Sequence, residues 1–311
     1  MEDPATAGEA RSRATVTRPP QWQLPHERAG RRSLLGAIYD RLTPPLIKRT
    51  EEEIRQRLAR APMDLNPYGF DPWGFETETA VLSLVWSTLL YRYYFRVQTR
   101  GIENLPRGRV LLIGNHAGQI ALDAVMIGTA TVLEAEPPRM VRGMGEYWLP
   151  RLPFFNVAMV RAGSVVGTPK NCTDLLDHDE AVIAFPEGVR GMNKSFTERY
   201  VLQEFGLGFL RLALETNTPI VPVAVVGSEE QAPSLGNFRP LADLLGMPAF
   251  PLVLTPLPLP TRYHIEFGEP MHFTGNPRDE DRVVGAQVEQ VKRRLHDMIA
   301  DGLARRDGIF W

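Results

Sequence analysis

A histidine and an aspartate lie close together in GNHAGQIALD, Gly114 to Asp123. An imidazole held by a carboxylate is a general-base pair. The carboxylate selects the tautomer, orients the ring and stabilises the imidazolium that forms. His116, partnered by Asp123, would take the proton of a hydroxyl so that the oxygen attacks an acyl carbonyl. Asn115, or backbone N–H groups of a following helix, would support the developing oxyanion. A second polar loop lies in AVIAFPEGVRG, Ala181 to Gly191. Pro186 fixes its own φ, and Gly188 permits a sharp turn or close approach of a ligand. Glu187 would accept a hydrogen bond from a substrate hydroxyl or orient Arg190, whose guanidinium suits a phosphate. Each loop also has a plain structural reading, as a packed histidine or a solvated Glu/Arg pair. What favours chemistry is that both follow an apolar strand.

The intervening pattern supplies the elements that would hold these loops. RVLLIGN reads as a strand, and LDAVMIGTATVLEA as the helix after it. RMVRGM, VAMVRAGSVV and AVIAFPEG read as further short strands, as do PIVPVAVVG and TRYHIEFGEP. YVLQEFGLGFLRLALETN reads as a helix closed by Asn217, and DEDRVVGAQVEQVKRRLHDMIADGLARRD as a long amphipathic helix. Near-continuous apolar strands between helices predict an α/β sheet covered on both faces. Chemistry in such sheets sits in loops at the carboxyl ends of strands.

Residues 1–30, polar and rich in Arg and Pro, read as a disordered arm, and residues 31–96 as N-terminal helices, with the main domain at 97–311. Thr50 followed by Glu53 fits a capping box. The run AVLSLVWSTLLYRYYF, Ala80 to Phe95, is too short to span a bilayer, which takes roughly 20 apolar residues. It is either a buried helix or one lying on a membrane with Trp86, Tyr91, Tyr93 and Tyr94 at the interface.

The chain of 311 residues is 43% hydrophobic and 23% charged, which excludes a wholly disordered or fibrous protein. A formal net charge of -2 argues against a general nucleic-acid binder. The single cysteine, Cys172, excludes an internal disulfide framework and a cysteine-based zinc site. With no apolar signal core at the start, the chain is expected to be unsecreted, in a reducing setting on the cytoplasmic face of a membrane.

Taken together, the blocks resemble the lysophospholipid/glycerolipid acyltransferase superfamily over roughly residues 97–275. NHAGQIALD is similar to its Asn-His block with a downstream Asp, and RGMGEYWLPRLPFFNVAMVRAGSVVG to its second block. AFPEGVRG is similar to the Phe-Pro-Glu-Gly block and PIVPVAVVG to the Pro-centred strand that follows. The resemblance implies a mixed, mostly parallel sheet flanked by helices. It also implies direct acyl transfer from an acyl thioester, on coenzyme A or acyl carrier protein, to a hydroxyl of a lipid acceptor. His116 and Asp123 would be catalytic, while Asn115, Gly118, Glu187, Gly188 and Arg190 would bind substrate. No metal or redox cofactor is implied. Two places depart from the pattern. Six residues, Ala117 to Leu122, separate His116 from Asp123, and Ala121 occupies the family's usual Asp position. Gly118 would have to let the loop bulge for the pair to meet. Where the second block often carries a phosphate-contacting Arg, Thr168, Pro169 and Lys170 stand instead, leaving Lys170 as the candidate contact.

Met247 to Gly268 is apolar yet proline-rich, so it reads as a buried connector or an exposed loop meeting the membrane. Arg151, Arg161, Lys170 and Arg199 would add local attraction to anionic lipid. A metallophosphoesterase would need further Asp/His ligands that the strand-end loops lack. A serine hydrolase would need a G-x-S-x-G elbow, which is absent. A non-catalytic lipid-binding protein on the same fold stays open on the spacing alone.

Overall fold

The computed structural model describes residues 43–116, 121–147, 154–188, 191, 194–238, 240, 242, 251–255 and 257–310. The expected N-terminal arm and the SLLGAIYDRL helix lie outside these residues. Pro44–Trp311 forms one compact unit. The change of character near residue 96 is therefore a change of secondary structure within that unit.

The unit is built on a seven-stranded sheet. Its strands are β1 (Gln98–Arg100), β2 (Val110–Gly114), β3 (Val141–Gly145), β4 (Val165–Val166), β5 (Ala181–Ala184), β6 (Ile220–Val226) and β9 (His264–Phe267), in the order β1-β9-β6-β2-β5-β3-β4. Every pairing is parallel except β6 with β9. A separate antiparallel pair joins β7 (Ser234–Asn237) to β8 (Pro251–Val253). The helices are α1 (Pro45–Arg60), α2 (Thr77–Leu89), α3 (Leu122–Leu133), α4 (Phe155–Arg161), α5 (Pro169–Asp177), α6 (Gly208–Thr216) and α7 (Asp281–Arg305).

The two-residue period of a strand splits the core between the faces of the sheet. On β2, Val110 and Leu112 join Ile54, Leu84, Ile127 and others under α1, α2 and α3. Leu111 and Ile113 join Leu175, Leu210 and Leu295 under α5, α6 and α7. All five residues of β2 are buried, as expected of a parallel strand covered on both sides.

Four local expectations are corrected. The VAMV run is helical within α4, leaving only Val165–Val166 as a strand; a short, wholly apolar run carries no periodicity to separate the two. Thr50 lies inside α1, its hydroxyl bonded to the Leu46 carbonyl at 2.9 Å, because the helix starts at Pro45, a residue suited to a first turn. The helix expected from Tyr200 begins only at Gly208, after an extended stretch that serves the site. Of the aromatics expected at a membrane interface, Trp86 and Tyr93 are exposed, but Tyr91 is buried, with its hydroxyl against Thr99 and Glu134. The Tyr94 hydroxyl donates to the Pro258 carbonyl.

Candidate active site

β2 and β5 are hydrogen-bonded neighbours, with Ile113 opposite Ala184. Their carboxyl ends therefore deliver Asn115–His116 and Phe185–Glu187 side by side. The chain crosses from β2 to β3 on one side, and β6 returns to the other side of β2. The reversal leaves a crevice at the strand ends, where α/β sheets bind ligands.

The imidazole Nδ1 of His116 lies 2.9 Å from Asp123 Oδ2. The six-residue interval thus closes into a pair, with Asp123 in the first turn of α3 and wholly buried. The second carboxylate oxygen accepts from the Ala124 N–H at 2.8 Å, which fixes the carboxylate. Phe185 stacks on the imidazole, with ring centroids 4.4 Å apart. Burial alone would lower the imidazole pKa. The charge and hydrogen bond of Asp123 outweigh it and hold His116 above its ordinary value.

Glu187 is placed differently from the expectation. One oxygen accepts the His116 backbone N–H at 3.1 Å. The other accepts the Gln203 N–H at 2.8 Å and faces Lys194 Nζ at 2.8 Å. Its side chain is fully buried, so it ties three chain segments together and does not face the cavity. Lys194 also reaches Glu229 at 3.5 Å, and Glu229 in turn accepts the Tyr200 N–H at 2.7 Å. Desolvation pushes Glu229 up to about 7 despite the pull of Lys194. The carboxamide of Asn115 is likewise turned into the sheet, where it donates to the Val225 carbonyl at 2.9 Å and accepts the Val225 N–H at 2.8 Å. It braces β6 against β2 and is not offered to an oxyanion. Gly191 fits between the two loops because a Cβ there would lie 3.1 Å from Glu187 Cβ and 3.2 Å from His116 Cβ.

A cavity of about 170 Å3 opens at this place, lined by His116, Phe185, Gly188, Met144, Glu146 and Tyr147. A larger apolar cavity of about 330 Å3, lined by Val157, Val160, Val165 and Val166, shares Gly145 and Glu146 with it. Gly188, with φ at +52, lines the smaller cavity. Lys170 lies exposed on α5 and does not line it. Gly118 and Arg190 lie outside the described residues. Burial raises the Cys172 thiol to about 11, consistent with a packed, unreactive side chain.

Lys194, Gln203, Glu229 and Glu146 were not singled out by the sequence. Lys194 and Gln203 follow the Phe-Pro-Glu-Gly turn, but nothing in their spacing shows that they turn back onto it.

The Acyltransferase family profile matches residues 96–226, which contain β2, β5, β6 and both loops. An uncharacterised protein of Mycobacterium tuberculosis (strain ATCC 25618 / H37Rv) is 34% identical over 271 residues, covering 83% of this chain and 74% of the relative. The mouse protein named DGAT1/2-independent enzyme synthesizing storage lipids is 23% identical over 142 residues, covering 46% of this chain and 42% of its own length. The crystal structure of the 1-acyl-sn-glycerophosphate (LPA) acyltransferase PlsC from Thermotoga maritima is similar in fold, with a TM-score of 0.50 and 15% identity. That match covers 88% of this chain and 94% of that one. Four ordered sequence blocks, the profile match and the PlsC-like sheet converge: the chain belongs to the glycerolipid acyltransferase superfamily and is an acyltransferase.

Proposed function

We propose that this protein moves a fatty acyl group from an acyl thioester, on coenzyme A or acyl carrier protein, to a lipid hydroxyl at a membrane surface, with His116 as general base. The observation that carries this reading is the buried His116–Asp123 pair, 2.9 Å apart, on the wall of a cavity at the strand ends. With Nδ1–H donating to Asp123, Nε2 holds the free lone pair. Nε2 removes the acceptor's hydroxyl proton as the oxygen attacks the thioester carbonyl. The tetrahedral intermediate collapses, the C–S bond breaks, and the thiolate takes the proton back from the imidazolium. Asp123 stabilises the cation between these steps. Phe185 holds the ring plane, and Glu187 holds the backbone beneath it. The base works only when neutral, and its pKa is raised, so turnover falls as pH drops through that raised value.

The apolar cavity beside the site suits an acyl chain. Membrane association is supported by exposed apolar side chains on two helices in contact. Leu82 and Trp86 lie on α2, with Tyr93 just beyond it, and Val157 lies on α4 with Phe154 at its start. Among the described residues no helix is long and apolar enough to cross a membrane, which fits surface docking. The test is transfer of labelled oleate from oleoyl-CoA to a lipid hydroxyl. The expected result is that His116→Ala lowers kcat by at least about 10²-fold while the thermal melt is kept. A folded His116→Ala variant with full turnover overturns the assignment.

A further inference from the structure

We infer that the acceptor is an uncharged, hydroxyl-bearing lipid, such as an acylglycerol, and that Glu146 selects it over a phosphate-bearing one. The inference deepens the acyl-transfer reading above and rests on it. Glu146 follows β3 and lines the smaller cavity together with His116. Its Oε1 lies 4.0 Å from where a Cβ on Gly188 would stand, so the carboxylate approaches the turn that the sequence marks for head-group binding. Glu146 forms no ion pair with any described residue. The rest of the described wall is uncharged, with Met144, Tyr147, Ala184 and Phe185 around the histidine.

Among the described residues, the nearby cations are committed elsewhere. Lys194 is buried, 2.8 Å from Glu187 and 3.5 Å from Glu229, so its ammonium is already engaged. Arg161 lines the neighbouring apolar cavity and pairs with Glu76 at 3.2 Å. Lys170 does not line the cavity. A phosphate entering this cavity would share it with the Glu146 carboxylate. At an effective dielectric constant near that of a protein surface, such repulsion is worth about tenfold to a hundredfold in binding. A hydroxylated head group meets no such repulsion, and a second hydroxyl on it can donate to Glu146.

The experiment uses the full chain with oleoyl-CoA and three acceptors in mixed micelles: dioleoylglycerol, monooleoylglycerol and oleoyl-lysophosphatidic acid. The readout is the ratio of kcat/KM between acceptors, which does not depend on the fraction of protein folded. The wild type is expected to favour an acylglycerol over the lysophosphatidic acid by about tenfold or more. Glu146→Gln should shift the ratio toward the phosphate acceptor by about tenfold, and Glu146→Lys should shift it further. A wild-type preference for lysophosphatidic acid, or a ratio unmoved in both variants, overturns the inference while leaving acyl transfer standing. Transfer to none of the acceptors, by an enzyme that also does not release free coenzyme A from the donor, strikes instead at the proposed function.

Discussion

The two ends of β5 carry the same arrangement of charge for different ends. Before the strand, Arg142 lies between Glu180, at 3.1 Å, and Asp71, at 2.6 Å. After it, Lys194 lies between Glu187 and Glu229. Both are one buried cation held by two carboxylates. The first cluster is remote from His116 and serves the scaffold. Asp71 also accepts the N–H groups of Trp73 and Phe75, whose rings flank the guanidinium, so the loop before α2 is fastened to the sheet. Arg suits that task because its planar fork stays charged at any ordinary pH. The second cluster touches the catalytic loop itself through the His116 N–H. It uses a lysine, and one of its carboxylates is pushed up to about 7. The fold thus places a permanent charge lock where nothing reacts and a proton-sensitive one beside the histidine.

Removing the cation of the first cluster gives the largest expected effect on stability. Arg142→Met leaves two buried carboxylates uncompensated and should cost about 3–5 kcal/mol, read by urea denaturation. The kcat per folded molecule should not change. A fall in kcat without a fall in stability would end the division between scaffold and site.

The next effect separates the two clusters by kinetics. Glu187→Gln keeps the shape, but a carboxamide has one oxygen to serve the His116 N–H, the Gln203 N–H and Lys194. A misplaced His116 should lower kcat by up to about 10²-fold, with the acceptor KM within about twofold of wild type. The reverse pattern, a raised KM at normal kcat, would return Glu187 to the head-group role suggested by its position in the Phe-Pro-Glu-Gly turn.

The two clusters also mark the limit of what the sequence makes legible. β2 and its loop are legible because a parallel strand buried on both faces must be continuously apolar, and VLLIG is. His116 and Asp123 are recognisable as a pair because their chemistry needs each other, even across an unusual interval. Asp71 and Arg142 are not legible as partners: a charge pair formed by tertiary packing leaves no periodic trace. Glu187 shows the same limit in another form. Its residue type marks the turn, but the direction of its side chain depends on Gln203 and Lys194 folding back beneath it. The burial of Tyr91 likewise depends on a partner distant in sequence, Glu134 at the end of α3, which no pattern around Tyr91 reveals.

The smallest effect tests whether the second cluster is the proton-sensitive one. Glu229 has a folded-state pKa of about 7, above the usual carboxylate value, because burial penalises its charged form. The protonated form is therefore the one that folding favours. Its contribution is complete below the unfolded carboxylate pKa and is lost as pH rises through about 7. Glu229→Gln cannot ionise and escapes that loss, although it weakens the contact with Lys194 at every pH. The melting temperature of Glu229→Gln minus that of wild type should therefore rise by a few degrees between pH 5 and pH 8. A difference that stays flat across this range would mean that Lys194 keeps Glu229 ionised throughout. The two ends of β5 would then differ in residue type alone, with no difference in their response to protons.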